Sequence, residues 1–112
     1  MLYLTIGLFA LSAVLGLTML LRWISKNDAP KAVIYSHGGV AAIALVLLAI
    51  YAVQNPASYP KLSIILFTIA ALGGFYLFFT NLKSGAKPIG VALIHGSLAV
   101  AAFLMLLLFV FG

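Results

Sequence analysis

PKAVIYSHGGVAAIALVLL, residues Pro30–Leu48, returns 58 positions later as PIGVALIHGSLAVAAFLML, residues Pro88–Leu106. The two stretches share Pro30/Pro88, Val33/Val91, His37/His95, Gly38/Gly96, Ala41/Ala99, Ala44/Ala102 and Leu48/Leu106, and they contain the only two histidines of the chain. Apart from the glycines, these positions advance by three or four residues, which on a helix lines them up along one face. The same offset carried toward the N-terminus pairs Leu4/Leu62, Ile6/Ile64, Leu8/Leu66, Phe9/Phe67, Ala13/Ala71 and Gly16/Gly74 without a gap. Aligning 1–54 with 59–112 gives 13 identities in 54 positions. Their placement says more than their number, because Ile6, Phe9, Ala13 and Gly16 form a second one-faced stripe that recurs at the same offset. The chain reads as a helical hairpin duplicated in tandem.

Hydrophobic residues make up 66% of the chain and charged ones 6%, with a mean hydropathy of +1.31. A water-facing surface cannot be built from that composition, which places the chain among integral membrane proteins. Four apolar segments, near Leu2–Ile24, Ala32–Val53, Leu62–Leu82 and Ile89–Phe111, each approach the ~20 residues a helix needs to cross a bilayer. They are continuously apolar rather than alternating, so strands are not expected. The predicted fold is an all-α, up-and-down bundle of four transmembrane helices, one domain over residues 1–112. The first segment lacks the basic start of a signal peptide, is longer than a typical signal core and has its counterpart in the third, so it reads as a retained helix.

Arg22, Lys26, Lys31, Lys83 and Lys87 flank the first and third connections, and only Lys61 flanks the second. The positive-inside rule then places the first and third loops in the cytoplasm and both termini outside, with a bacterial inner membrane as the expected setting. Attraction to anionic headgroups accounts for this basic rim, and nucleic acid is not expected. No cysteine is present, which excludes disulfides, thiolate metal sites and covalent c-type haem attachment. Trp23 and Tyr35 on one side, and Tyr3, Tyr51 and Tyr59 on the other, suit interfacial belts.

With two spans per repeat, the copies share one orientation about an axis along the membrane normal, and the second and fourth helices become parallel and diagonal in the ring. His37 and His95 lie about seven residues into those helices, roughly 10 Å deep. Gly16 and Gly74 lie at a similar depth on the first and third. The diagonal, about 14 Å for neighbouring axes ~10 Å apart, admits two imidazoles with a metal ion between them. A flat macrocycle between the imidazoles needs room along the first and third helices, which glycine supplies. Gly38 and Gly96 beside the histidines, with the alanines beyond, keep the surroundings narrow. Burial without a neighbouring carboxylate favours the neutral imidazoles that haem iron takes as ligands. A carbonyl one turn back, at Val33 or Val91, is the expected partner of each ring's N–H.

This arrangement resembles the haem-binding four-helix bundle of membrane b-type cytochromes, such as cytochrome b and the cytochrome b561 group. The resemblance covers the whole chain in architecture and four positions in motif. It implies His37 and His95 as axial ligands of one haem b per chain, and Gly16 and Gly74 as the glycines at the ring edge. Those families usually carry two haems, one near each face, whereas this chain has histidines for one. What the resemblance implies is one-electron transfer, with a membrane quinone or another redox membrane protein as partner, rather than a self-contained enzyme. The five basic residues stand where haem propionates would emerge. Met19 and Met105 are soft ligands in principle and read as core.

Two other readings remain open from the residues. A small transporter or channel-like protein would use the histidine pair to relay protons or bind a transition metal. It would not be of the small multidrug-resistance kind, since the only acid, Asp28, lies in a loop. A non-catalytic accessory subunit of a larger complex, or a homo-oligomer, would pack partner helices on small-residue faces containing Gly7, Ser12, Gly73 or Gly90.

Overall fold

A computed structural model describes all residues, Met1–Gly112. It contains four helices, α1 (Leu2–Ile24), α2 (Lys31–Gln54), α3 (Lys61–Ser84) and α4 (Ile89–Phe111), and no strand. Pro30, Pro60 and Pro88 stand immediately before α2, α3 and α4. Proline has no N–H to leave unpaired at that place, and its fixed φ prepares the first turn. All four helices are long and apolar enough to cross a membrane, and the molecule measures 45 × 23 × 23 Å.

α1 lies along α2 and α3 along α4, while α1 meets α4 and α2 meets α3 more sparingly. The result is a ring of two hairpins in which α1 and α3, and α2 and α4, are diagonal. Across the first diagonal Phe9 and Phe67 stack face to face, their ring centres 3.8 Å apart and 3° from parallel.

The interior repeats the sequence duplication. Phe9/Phe67, Ala44/Ala102 and Leu48/Leu106 are buried as pairs, as are Thr5/Ser63 and Ser12/Ala70, which the offset relates without identity. Large apolar side chains such as Leu4, Val14, Leu72, Phe75, Val100 and Leu108 face outward. An exterior of leucine around an interior holding three hydroxyls is inverted for water and natural for lipid. Lipid tails are as apolar as leucine, so the helices are held by close packing and by satisfied polar groups rather than by escape from water. Each buried hydroxyl donates to a backbone carbonyl: Thr5 to Met1 (3.0 Å), Ser63 to Ala102 (2.8 Å) and Ser12 to His37 (3.2 Å). The last two tie the hairpins α3–α4 and α1–α2 internally.

The first and third connections meet at one end. Lys87 pairs with Asp28 at 2.7 Å, and the Arg22 guanidinium donates from Nε to the Asp28 carbonyl at 3.0 Å. The hydrogen bond and charge of Lys87 hold the Asp28 carboxyl below the usual carboxylate range. α3 ends on Gly85 at φ +70°, whereas the chain leaving α1 turns at Lys26, φ +63°. A left-handed conformation suits glycine and costs other L-residues about 1 kcal/mol or more. Lys26→Gly is therefore expected to stabilise the fold by about 1 kcal/mol, read as a higher unfolding midpoint in detergent. Gly85→Ala is expected to lower it by a similar amount.

Candidate cofactor site

His37 on α2 and His95 on α4 meet across the second diagonal, with ring centres 6.2 Å apart and planes at 80°. Both rings are half-buried. His37 Nδ1 lies 2.8 Å from the Ser12 carbonyl oxygen, and His95 Nδ1 lies 2.7 Å from that of Ala70. A carbonyl only accepts, so each Nδ1 carries a proton, and in the neutral imidazole each Nε2 then keeps its lone pair. Both rings thus have the tautomer of a metal-binding histidine whose other nitrogen is fixed by a backbone oxygen.

The carbonyl partners are on the preceding helix, Ser12 on α1 and Ala70 on α3, and not at Val33 or Val91 one turn back. Gly16 and Gly74 explain the difference. A helical side chain leans toward the N-terminus and covers the turn before it. Glycine four residues after Ser12 and after Ala70 leaves those two carbonyls uncovered, and the imidazoles occupy the opening. A Cβ at Gly16 would stand 2.8 Å from His37 Cε1 and 3.2 Å from Nδ1; at Gly74 it would stand 3.1 Å from His95 Cε1 and 3.6 Å from Nδ1. The space made by the two glycines is filled by the histidine rings themselves. A Cβ on Gly73 would lie 3.8 Å from His95 Cβ and Nδ1, an ordinary contact.

The other sequence candidates sit differently. A Cβ on Gly38 or Gly96 would meet nothing within 4 Å, and Gly38 is exposed on the outer face. Ser12 and Gly73 belong to the interior rather than to an outward face, since Ser12 is 4% exposed and Gly73 abuts His95. Gly7 and Gly90 do face outward. Met19 and Met105 are half-buried, and Met105 is ten residues beyond His95, about 15 Å along α4. Trp23, in the last turn of α1, is buried, and its Nε1 has no hydrogen-bond partner.

Two imidazoles are the metal-binding side chains that meet at this site. Two imidazoles bound end-on to one metal through bonds of about 2.0 Å have ring centres roughly 6 Å apart, close to the 6.2 Å found. No group of three or more His, Cys, Asp or Glu side chains converges anywhere in the chain. Structural and catalytic zinc sites draw three or four protein ligands. A metal group that brought its own nitrogens would need only two imidazoles from the protein, the number found here.

The pair lies between two unlike halves of the bundle. Toward the chain termini, the stacked phenylalanines and the fully buried Ala44/Ala102 and Leu48/Leu106 pairs close the interior. Toward the first and third connections lie the basic residues. Two of these, Arg22 and Lys87, are engaged by Asp28.

No family model, curated protein or solved structure matches the chain.

Proposed function

We propose that the chain is a small integral membrane b-type cytochrome that holds one haem b between His37 and His95 and serves one-electron transfer. The observation that carries this reading is the matched tautomer of the two rings. Each Nδ1–H is spent on a backbone carbonyl, so the pair offers two neutral Nε2 donors. His37 and His95 would hold the haem, which would supply a reversible one-electron couple.

The chain's own residues orient the ligands and limit access to them. Ser12 and Ala70 fix the tautomers, and Gly16 and Gly74 let the rings reach those carbonyls. The Phe9/Phe67 stack and the alanine and leucine pairs beyond it close the terminal half. Exchange with a partner, a quinone or a second redox membrane protein, is then confined to the basic half. Lys26, Lys31 and Lys83 are the cations there that Asp28 does not engage, and they suit an anionic substituent of the macrocycle.

The test is the visible spectrum of the purified chain, air-oxidised and then reduced with dithionite, before and after haem is added. A Soret band that sharpens on reduction, with narrow α and β bands, is expected for low-spin, six-coordinate haem. A preparation that stays colourless after haem addition overturns the reading and leaves proton or metal relay, or an accessory structural role, for the histidine pair.

A further inference from the structure

The two halves of the site differ at two positions: Gly73, beside His95, is Leu15 in the first repeat, and Ala70 is Ser12. Where α3 has Ala70, α1 has Ser12, and the serine hydroxyl lies on His37. Ser12 Oγ is 3.1 Å from His37 Nδ1 and 3.2 Å from the His37 carbonyl oxygen. The Ser12 carbonyl is a further 2.8 Å partner of the same Nδ1. The hydroxyl proton goes to the His37 carbonyl, because Nδ1 carries its own proton toward Ser12 O. Oγ therefore turns a lone pair toward Nδ1–H, which is shared between two oxygens of one residue. His95 has the Ala70 carbonyl alone, at 2.7 Å. Ser12 is 4% exposed and inside the bundle, where a hydroxyl without a partner would be costly.

We infer that Ser12 is a positioning residue that makes His37 the more firmly anchored and more electron-rich imidazole of the pair. Two contacts from one residue to Nδ1 fix the ring's tautomer and its rotation, and the third holds the hydroxyl on the His37 carbonyl. A second acceptor on Nδ1–H raises the basicity of Nε2, as acceptors behind a ligating histidine do. His95 is consequently the looser ligand of the two. The effect on a bound metal rests on the haem reading; the effect on the ring does not.

The experiment has one arm for each. In the full chain, free of haem and carrying ¹⁵N-histidine, hydrogen exchange at the two Nδ1–H groups is followed by NMR, with single-histidine variants used only to assign the signals. His37 is expected to exchange about two- to tenfold more slowly than His95, the factor given by one additional hydrogen bond of ordinary net strength. Ser12→Ala is expected to bring the two rates together, Ala70→Ser to slow His95, and Ser12→Thr, which keeps the hydroxyl, to preserve the difference. Alanine is the residue of the other repeat at this place, so Ser12→Ala suits the packing.

In the haem-loaded chain, Ser12→Ala is expected to raise the midpoint potential and Ala70→Ser to lower it, since a more electron-rich ligand favours the oxidised iron. Equal exchange rates in the parent chain, or a His37 rate unmoved by Ser12→Ala, overturn the inference. Potentials unmoved in both variants with haem bound overturn it equally. Failure to load haem leaves the exchange arm decisive for Ser12 and counts against the haem reading alone.

Discussion

Replacing either His37 or His95 with alanine is expected to abolish stable haem binding. The variant chain would pass through size-exclusion chromatography without a Soret band, while its helical circular dichroism stays near that of the parent. The two rings meet across a diagonal where the backbones of α2 and α4 are otherwise apart. Neither hairpin supplies two imidazoles of its own, and no third His, Cys, Asp or Glu converges on the pair. With one imidazole gone, a haem would keep a single ligand from the protein. The ring removed also leaves the Ser12 or the Ala70 carbonyl with one acceptor site unfilled. Free imidazole is expected to restore the six-coordinate spectrum at millimolar concentration, because the vacated space is bounded by Gly16 or Gly74. Full haem retention by both single variants defeats the ligand assignment.

The bundle itself is legible from the apolar runs and the prolines, and the predicted spans of α1 and α4 coincide with the observed Leu2–Ile24 and Ile89–Phe111. The duplication also locates much of the interior: Phe9/Phe67, Ala44/Ala102 and Leu48/Leu106 recur as identities and are buried. Other interior positions leave no such trace. Thr5/Ser63 and Ser12/Ala70 are equivalent but not identical, and the hydroxyls among them are polar.

The reason lies in the solvent. In water, hydrophobicity marks the inward face of a helix, but in lipid both faces are apolar and the mark disappears. Hydrophobicity is almost uniform around α2. Residue size and hydrogen-bonding need remain as signals, and these explain why Ser12 and Gly73 read as an outward small-residue face. The usable clue to the histidine contacts was the four-residue spacing of Ser12 to Gly16 and of Ala70 to Gly74. It states which carbonyl the missing side chain uncovers.

That spacing leads to the second large effect. Gly16→Ala is expected to weaken haem binding more than Gly74→Ala. The added Cβ would lie 2.8 Å from His37 Cε1 in the first case and 3.1 Å from His95 Cε1 in the second. Real Cβ atoms essentially never make the first contact, so the imidazole must move. The second asks the ring to give by a few tenths of an ångström. Alanine improves helix propensity by about 1 kcal/mol at either place, which offsets part of the cost to the fold while the site is disturbed.

Overpacking of about 1–3 kcal/mol, concentrated on a ring that must keep both its carbonyl bond and its place on the diagonal, corresponds to roughly a five- to hundredfold loss of haem affinity at Gly16. At Gly74 the loss is expected near the lower end of that range. Haem titration of the two variants, with their unfolding midpoints measured in the same detergent, separates the two effects. Equal affinities in parent and Gly16→Ala would mean that the glycine does not make room for the ligand. Reduced affinity together with an unchanged or raised midpoint would assign it to the site rather than to the fold.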